Sequence, residues 1–96
     1  MDLLITYDVE TTTPAGRSRL RRVARICEAY GHRAQKSVFE VVCRDADRPR
    51  LIAALVSVID HAHDSVRIYQ LPPRALDDVE HLGVPRQVDP RGPFVI

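Results

Sequence analysis

The chain opens with the apolar run LLITYDV at residues 3–9 and continues through the polar loop ETTT at residues 10–13. The run has the length and the β-branched and aromatic content of a mostly buried strand. Thr13 is a favourable N-cap residue, and Pro14 stands at the first helical position, where proline is favoured. The opening therefore predicts a buried strand followed by a helix that begins at Pro14.

The helix that begins at Pro14 has an apolar face and a charged face. Gly31 predicts its end at Tyr30, because glycine commonly follows the last helical residue. The apolar side chains recur at i, i+3 and i+4, so we expect this stripe to pack against a core. Its members are Leu20, Val23, Ala24, Cys27 and Tyr30.

Two strand-like runs follow the first helix, at residues 33–36 and 38–44, and a tight turn or kink near Ser37 separates them. A second helix comes next, with Asp45 or Asp47 as its N-cap. Its apolar stripe is predicted to face the same core as the first helix. The members of this stripe are Leu51, Ile52, Leu55, Val58 and Ile59.

The last strand covers residues 65–71 and ends at two prolines, which cannot continue a strand ladder. The resulting βαββαβ order is the split-βαβ pattern of the ferredoxin-like α+β fold. Right-handed crossovers place the first strand centrally, beside the third and fourth, with both helices on one face of the sheet. We therefore expect a ferredoxin-like domain over residues 1–71.

Residues 72–96 form a tail of different composition, with five of the seven prolines and no helical period. The tail nevertheless ends in the apolar run PFVI at residues 93–96. An isolated ferredoxin-like sheet leaves one face and its edges uncovered, and a dimer with exchanged tails would cover both. We expect the terminal run to form a strand on the dimer partner's sheet, so that the tail belongs to the same dimeric unit as the domain.

The positive charge of the chain is concentrated in one segment. The formal net charge is only +1, but residues 14–44 hold eight basic residues against Glu28 and Glu40. Arginine offers a planar donor fork that suits phosphate. A phosphate-contacting ridge on the first helix is one interpretation, and a solvated helix face is the other, with Arg19 directed away from the main cluster. The arginines concerned are Arg17, Arg19, Arg21, Arg22 and Arg25.

Composition excludes several classes of protein. The apolar fraction of 45% indicates a folded chain. No apolar run reaches the roughly 18 residues of a membrane span, and the start lacks a basic, signal-like segment, so we expect a cytoplasmic protein without membrane contact. Cys27 and Cys43 lack a Cys-x-x-Cys spacing and are expected to be reduced, buried apolar residues.

Several segments, taken together and in order, resemble the CRISPR-associated endoribonuclease family, the smaller of the two universal spacer-adaptation proteins. The resemblance implies a ferredoxin-like homodimer, in agreement with the element order. It also implies a metal-dependent endonuclease that acts on RNA or DNA and assembles with the dimers of the CRISPR integrase. The segments are LITYDV at 4–9, the arginine-rich first helix, GHRAQKSVFE at 31–40, DSVRIY at 64–69, and VEHLG at 79–83 followed by Asp89-Pro90.

Asp8 is the main candidate for metal binding and catalysis. It ends a predicted central strand, where a carboxylate can reach a hard cation such as Mg²⁺, with Mn²⁺ as the alternative. One carboxylate is a poor site, and the resemblance implies that the dimer partner supplies a second Asp8. The metal would polarise a phosphodiester and activate a water. The competing interpretation is that Asp8 only caps the following loop.

The resemblance also associates Arg33 and Phe39 with nucleic-acid processing. Ser37 is a candidate phosphate contact, although a role in the turn explains it equally well. Core packing is the favoured interpretation for Tyr7, and core or dimer interface for Phe39. Arg67 lies on a strand among apolar neighbours, so we expect an acidic partner or the dimer interface to compensate its charge.

The segment DHAHD at residues 60–64 contains the residue types of a metal site. It falls in a helix-to-strand loop, where polar residues are expected, and His-x-His without a third ligand is a weak signal. His81 lies in the tail without a visible partner. We therefore expect neither a metal site in the loop nor a general base at His81.

Two functional hypotheses follow. The first is a dimeric, Mg²⁺-dependent endonuclease that holds the metal between two Asp8 carboxylates and cuts RNA or DNA lying along the arginine-rich helices. The second is a non-catalytic scaffold that binds duplex DNA and bridges two integrase dimers, in which the arginines matter and Asp8 does not. The two are compatible, since one protein can do both.

Overall fold

The computed structural model describes residues 1–84, and its elements follow the predicted βαββαβ order. A 3₁₀ turn at Ala75–Asp78 follows the last strand. The first helix and the last strand have the predicted bounds, whereas the other three strands begin or end one or two residues away from them. The elements are β1 (Asp2–Asp8), α1 (Pro14–Tyr30), β2 (Gly31–Gln35), β3 (Val38–Val42), α2 (Asp47–Val58) and β4 (Ser65–Leu71).

The four strands form one antiparallel sheet in the order β2-β3-β1-β4. β1 lies centrally, and its Ile5 faces Phe39 of β3 on one side and Ile68 of β4 on the other. This is the strand order that right-handed crossovers predict for a ferredoxin-like fold. The predicted strand at residues 93–96 lies outside the described residues, so its place on a partner's sheet stays a prediction.

The core lies between the two helices and one face of the sheet. Along β1 the residues alternate, with Leu3 and Ile5 fully buried and Leu4 and Thr6 partly exposed on the opposite face. Both helices contribute to the same core, as their apolar stripes predict. Their fully buried or nearly buried members are Val23 and Cys27 of α1 and Leu51 and Leu55 of α2.

The start of α1 depends on a close approach that the sequence does not indicate. The Thr13 hydroxyl accepts the backbone N–H of Gly16 at 3.0 Å, so Thr13 is the N-cap, as predicted. A Cβ added at Gly16 would overlap the backbone carbonyl of Glu10, which passes directly beside the helix. Gly16 therefore allows the loop after β1 to pack against the first turn of α1.

Gly31 ends α1 where predicted, but for a different reason. Its backbone is extended, with φ −158°, and not left-handed. A Cβ there would overlap the carbonyl of Glu40 and lie 2.7 Å from Cγ2 of Val41. Glycine is needed because β2 begins immediately and pairs closely with β3, which is why β2 starts two residues before the predicted strand.

The N-cap of α2 is Ala46, so the prediction of Asp45 or Asp47 is wrong. Asp47 is the first helical residue, and its carboxylate turns back to accept the Arg44 backbone N–H at 3.1 Å. The Arg44 guanidinium binds the same carboxylate at 3.1 Å. These hydrogen bonds from Arg44 lower the pKa of Asp47.

The face of the sheet opposite the helices, which we call the open face, is covered by neither α1 nor α2. Even-numbered residues of β1 and β3 point to it, and the pairing places the odd-numbered residues of β4 beside them. Val42 and Tyr69 are 64% and 40% exposed there. Among residues 1–84, Arg67 has no acidic partner; its guanidinium carbon lies 5.2 Å from the Tyr69 ring centre. The described residues therefore supply no acidic partner to Arg67, and the other expectation, that the dimer interface compensates its charge, stays a prediction.

A hydrogen bond connects the start of the tail to the first strand. The Leu76 backbone N–H donates to the buried Asp2 carboxylate at 2.9 Å, which ties the beginning of the tail to β1.

Cys27 and Cys43 are free thiols, and burial raises the pKa of Cys27 to about 11. Neither helix in the described part of the chain is long and apolar enough to cross a membrane.

Candidate nucleic-acid interface and active site

Asp8 ends β1 on the open face, and its side chain is exposed. Its backbone pairs with Ser65 of β4, which fixes the backbone of Asp8 at the end of the central strand. The loop after β1 is capped by another residue, because the Glu10 N–H donates to Oδ1 of Asp64 at 3.1 Å. The carboxylate of Asp8 therefore does not cap that loop in this structure.

A single chain offers one carboxylate to a metal at this position. Within residues 1–84 no group of three or more His, Cys, Asp or Glu side chains is arranged to hold a metal ion. Mg²⁺ commonly uses only one or two carboxylates and keeps several waters. An exposed Asp8 fits that requirement, and a second Asp8 from a dimer partner would fit it better.

A groove of about 680 Å³ extends from Asp8 between α1 and the turn that joins β2 to β3; we call it the Asp8 groove. Most of its lining is apolar, including Leu20 and Ala24 of α1, which the core leaves half-buried. Arg21 and Lys36, both exposed, line it as well. The groove thus combines an apolar floor with cations next to a carboxylate.

Four arginines of α1 form an exposed surface that we call the arginine face: Arg17, Arg21, Arg22 and Arg25. Arg17, Arg21 and Arg25 are four residues apart and share one side of the helix. The Arg17 guanidinium donates to the Thr11 carbonyl at 3.2 Å, and none of the four forms an ion pair with another described residue. Their charges are available to an external anion.

Arg19 belongs to the structure of the domain. Its Nε donates to Oδ2 of Asp64 at 2.8 Å, and the Asp64 side chain is fully inaccessible to solvent. Asp64 also accepts the backbone N–H groups of Glu10 and Asp60, at 3.1 Å and 2.8 Å. The hydrogen bond from Arg19 is the main reason that the pKa of Asp64 falls to about 2. We therefore do not include Arg19 in the nucleic-acid interface.

Tyr7 and Phe39 lie in the core, as the strand alternation favours. Their rings stack with centres 6.1 Å apart, and Phe39 is fully buried, so it offers no surface to nucleic acid. The Arg33 guanidinium carbon lies 5.1 Å from the Phe39 ring centre. Arg33 also binds Glu28 at 3.2 Å, so packing and an ion pair fix its position at the wall of the Asp8 groove.

The turn between β2 and β3 brings Lys36 and Ser37 to the groove. The Ser37 carbonyl accepts the Tyr7 N–H at 3.1 Å, and the Tyr7 hydroxyl donates to the Lys36 carbonyl at 3.3 Å. Burial raises the pKa of that hydroxyl. The backbone of the turn is thus held against β1. Sequence reasoning missed Lys36 as a site residue, although it is the only lysine of the chain and stands at a turn.

The polar loop at residues 60–64 forms local hydrogen bonds. Asp60 accepts the Ala62 N–H at 3.0 Å and binds Nδ1 of His63 at 3.0 Å, which raises the pKa of His63. The Asp64 carboxylate is paired with the Arg19 guanidinium. The loop connects α2 to β4, and its ion pair between Asp64 and Arg19 joins it to α1.

Comparison with known proteins identifies the family. The family model for "CRISPR associated protein Cas2" matches residues 1–79. The chain is 46% identical over 94 residues to "CRISPR-associated endoribonuclease Cas2 3" of Rhodospirillum rubrum, covering 98% of this chain and 99% of the relative. It is 42% identical to "CRISPR-associated endonuclease Cas2" of Halalkalibacterium halodurans, covering 99% of each.

Solved structures agree with this result. The crystal structure of Streptococcus pyogenes Cas2 at pH 6.5 matches with a TM-score of 0.76 and 47% sequence identity, covering 86% of this chain and 100% of that chain. A second crystal structure, described as cas2, matches with a TM-score of 0.71 and 28% identity, covering 90% of each chain. The fold, the family model and the full-length relatives all lead to one assignment: the chain belongs to the Cas2 family of CRISPR-associated proteins.

Proposed function

We propose that this protein is a metal-dependent endonuclease of CRISPR spacer acquisition that works as a homodimer. The observation that carries the proposal is Asp8, an exposed carboxylate at the end of the central strand, with the Asp8 groove beside it. Relatives over the full length that are named endoribonuclease and endonuclease support phosphodiester hydrolysis as the reaction.

The open face is the proposed dimer surface. It exposes Val42 and Tyr69 and leaves Leu4, Val38 and Leu71 only half-buried. A two-fold dimer through this face would cover that apolar area. Asp8 lies on the same face, so a two-fold axis that passes beside the end of β1 would bring the Asp8 of each subunit toward its counterpart.

Two Asp8 carboxylates would hold one Mg²⁺ or Mn²⁺ at the dimer axis. When bound there, the metal would polarise a phosphodiester and lower the pKa of a water. The chain itself would position the substrate, since Arg21 and Lys36 stand in the groove beside Asp8 and can bind the neighbouring phosphates. The arginine faces of two subunits would hold the rest of the backbone.

A cleavage assay tests this function. Purified protein is incubated with labelled single-stranded RNA, single-stranded DNA or duplex DNA in Mg²⁺, Mn²⁺ or excess chelator. We expect at least one substrate to be cut in either metal and none to be cut in chelator. Cleavage that persists in chelator would contradict the metal mechanism, and no cleavage under any condition would favour a non-catalytic role.

The second candidate is a scaffold that binds duplex DNA and bridges two integrase dimers. The arginine face favours it, because four exposed arginines on one helix suit the duplex backbone without reading bases. Spacer acquisition in cells separates the candidates. Acquisition that survives Asp8→Ala but fails when Arg17, Arg21 and Arg22 are all replaced by Ala would favour the scaffold alone.

A further inference from the structure

The Asp8 groove has the dimensions of a small-molecule site. Its volume of about 680 Å³ lies within the roughly 300–1,000 Å³ of typical ligand pockets. It is bounded by α1 on one side and by the β2–β3 turn on the other. A duplex backbone would contact the exposed arginine face, but the recess between α1 and the turn admits a smaller group.

The floor of the groove is apolar because two side chains of the apolar stripe of α1 line it. Leu20 and Ala24 belong to the apolar stripe of the helix, one turn apart, yet the core leaves both half-buried. The buried ring of Tyr7 adjoins them at the groove. An apolar surface of this kind suits the face of a nucleobase, which gains free energy by stacking or packing on side chains.

The phosphate of the same nucleotide would lie between two cationic side chains. Arg21 and Lys36 lie on opposite sides of the groove, one on α1 and the other on the turn. Arg33 contributes a third observation, because its Nε is buried and has no hydrogen-bond partner in the described part of the chain. A buried donor left unpaired is unfavourable, and an oxygen acceptor that reached it from the groove would satisfy it.

We propose that the Asp8 groove is a binding site for one unpaired nucleotide, with its base on Leu20 and Ala24 and its phosphate on Arg21 and Lys36. A base inside a duplex is stacked and cannot reach the floor, whereas an unpaired base can turn into it. The ligand can come from two sources, a free mononucleotide or an unpaired nucleotide within a strand. The inference rests on the proposed function only for the kind of ligand, and it concerns binding, not cleavage.

The test uses a duplex with a short 3′ overhang that carries 2-aminopurine at its first unpaired position, measured in chelator. Wild-type protein should change the emission of the probe on binding. Ala24→Leu fills the floor and should weaken overhang binding about tenfold or more, since a stacked base contributes about 1–3 kcal/mol. Ala29→Leu is the matched control, because Ala29 is exposed on the same helix and does not line the groove.

Two further arms complete the design. A blunt duplex should bind Ala24→Leu and wild type alike, since the arginine face is unchanged. The free 2-aminopurine nucleotide distinguishes the sources: binding that depends on Ala24 indicates that the groove takes a free nucleotide, and binding of the overhang alone indicates a nucleotide within a strand. Lys36→Gln, at an exposed residue whose change leaves the core intact, should also weaken overhang binding.

The inference would be overturned if Ala24→Leu and Lys36→Gln both bound the overhang as tightly as wild type. Equal weakening of overhang and blunt duplex by Lys36→Gln would overturn it as well, because the groove would then serve the duplex backbone. Binding in chelator is independent of cleavage. A protein that cuts nothing but binds the overhang through Ala24 would contradict the proposed function and leave this inference standing.

Discussion

Replacing Asp8 by Asn is expected to lower the rate of metal-dependent cleavage by about 100-fold or more, since even outer-shell changes at metal sites cost about 10–100-fold. The amide keeps the shape of the side chain but removes the negative charge that would hold the cation. Because Asp8 is exposed and bonded to no other described side chain, the free energy of unfolding should change by less than about 0.5 kcal/mol.

The control for this variant is Asp45→Asn. Asp45 is exposed and lies after β3, at the end of the sheet opposite Asp8. Its replacement removes the same charge without touching the proposed site, so cleavage should stay within about twofold of wild type, as surface changes generally do. The measurement is the cleavage rate of both variants and the wild type under the same conditions. An Asp8→Asn protein as active as the control would contradict a metal-binding role for Asp8.

Replacing Asp64 by Asn is expected to have the largest effect on stability. The Asp64 carboxylate accepts hydrogen bonds from the Arg19 guanidinium and from the backbone N–H groups of Glu10 and Asp60. Asparagine would place its NH₂ group against one set of these donors, and an unsatisfied buried donor costs about 1–3 kcal/mol. We expect a loss of about 2–3 kcal/mol in the free energy of unfolding, measured by urea denaturation.

The pH dependence of the Asp64 contribution has a defined sign. Because its pKa falls from an ordinary value of 3.8 to about 2 in the folded protein, the carboxylate stabilises the fold fully above about pH 4. That stabilisation is lost as pH falls through about 2. The difference in stability between wild type and Asp64→Asn should therefore be constant near neutral pH and shrink between pH 4 and 2.

Asp77→Asn is the matched control for the stability measurement. Asp77 forms an ion pair with Arg74 at 2.8 Å, but both side chains are more than half exposed. Exposed pairs contribute about 0–1 kcal/mol, so this variant should unfold close to wild type. Equal urea midpoints for Asp64→Asn and Asp77→Asn would contradict the account of Asp64.

The elements that carry strong local signals were predictable from the sequence. Thr13 and Pro14 define the start of α1, and the prolines after Leu71 define the end of β4, because capping and proline geometry act locally. The start of β2 and the N-cap of α2 were predicted wrongly. Gly31 is required by the neighbouring strand β3, and Asp47 turns back to Arg44, and neither contact can be recognised from residue spacing alone.

Some features of the candidate site were likewise predictable from the sequence, and others were not. Asp8 at the end of a central strand follows from the strand pattern and the element order, and the arginine face follows from four-residue spacing on α1. The Asp8 groove and the ion pair between Arg19 and Asp64 could not be predicted from the sequence pattern, because each joins segments that are distant in the chain. Arg19 and Asp64 are 45 residues apart in the chain, and Lys36 reaches the groove only because the β2–β3 turn is held against Tyr7.

A dimer that holds one wild-type and one Asp8→Asn subunit tests the shared site most directly. The two chains are co-expressed with different tags, the mixed dimer is purified through both tags, and its cleavage rate in Mg²⁺ is compared with that of the wild-type dimer. If one metal is held between two Asp8 carboxylates, the mixed dimer should retain less than about a tenth of the wild-type rate, as expected when a metal ligand is lost. A mixed dimer with half of the wild-type rate would show that each subunit acts alone and would contradict the shared site.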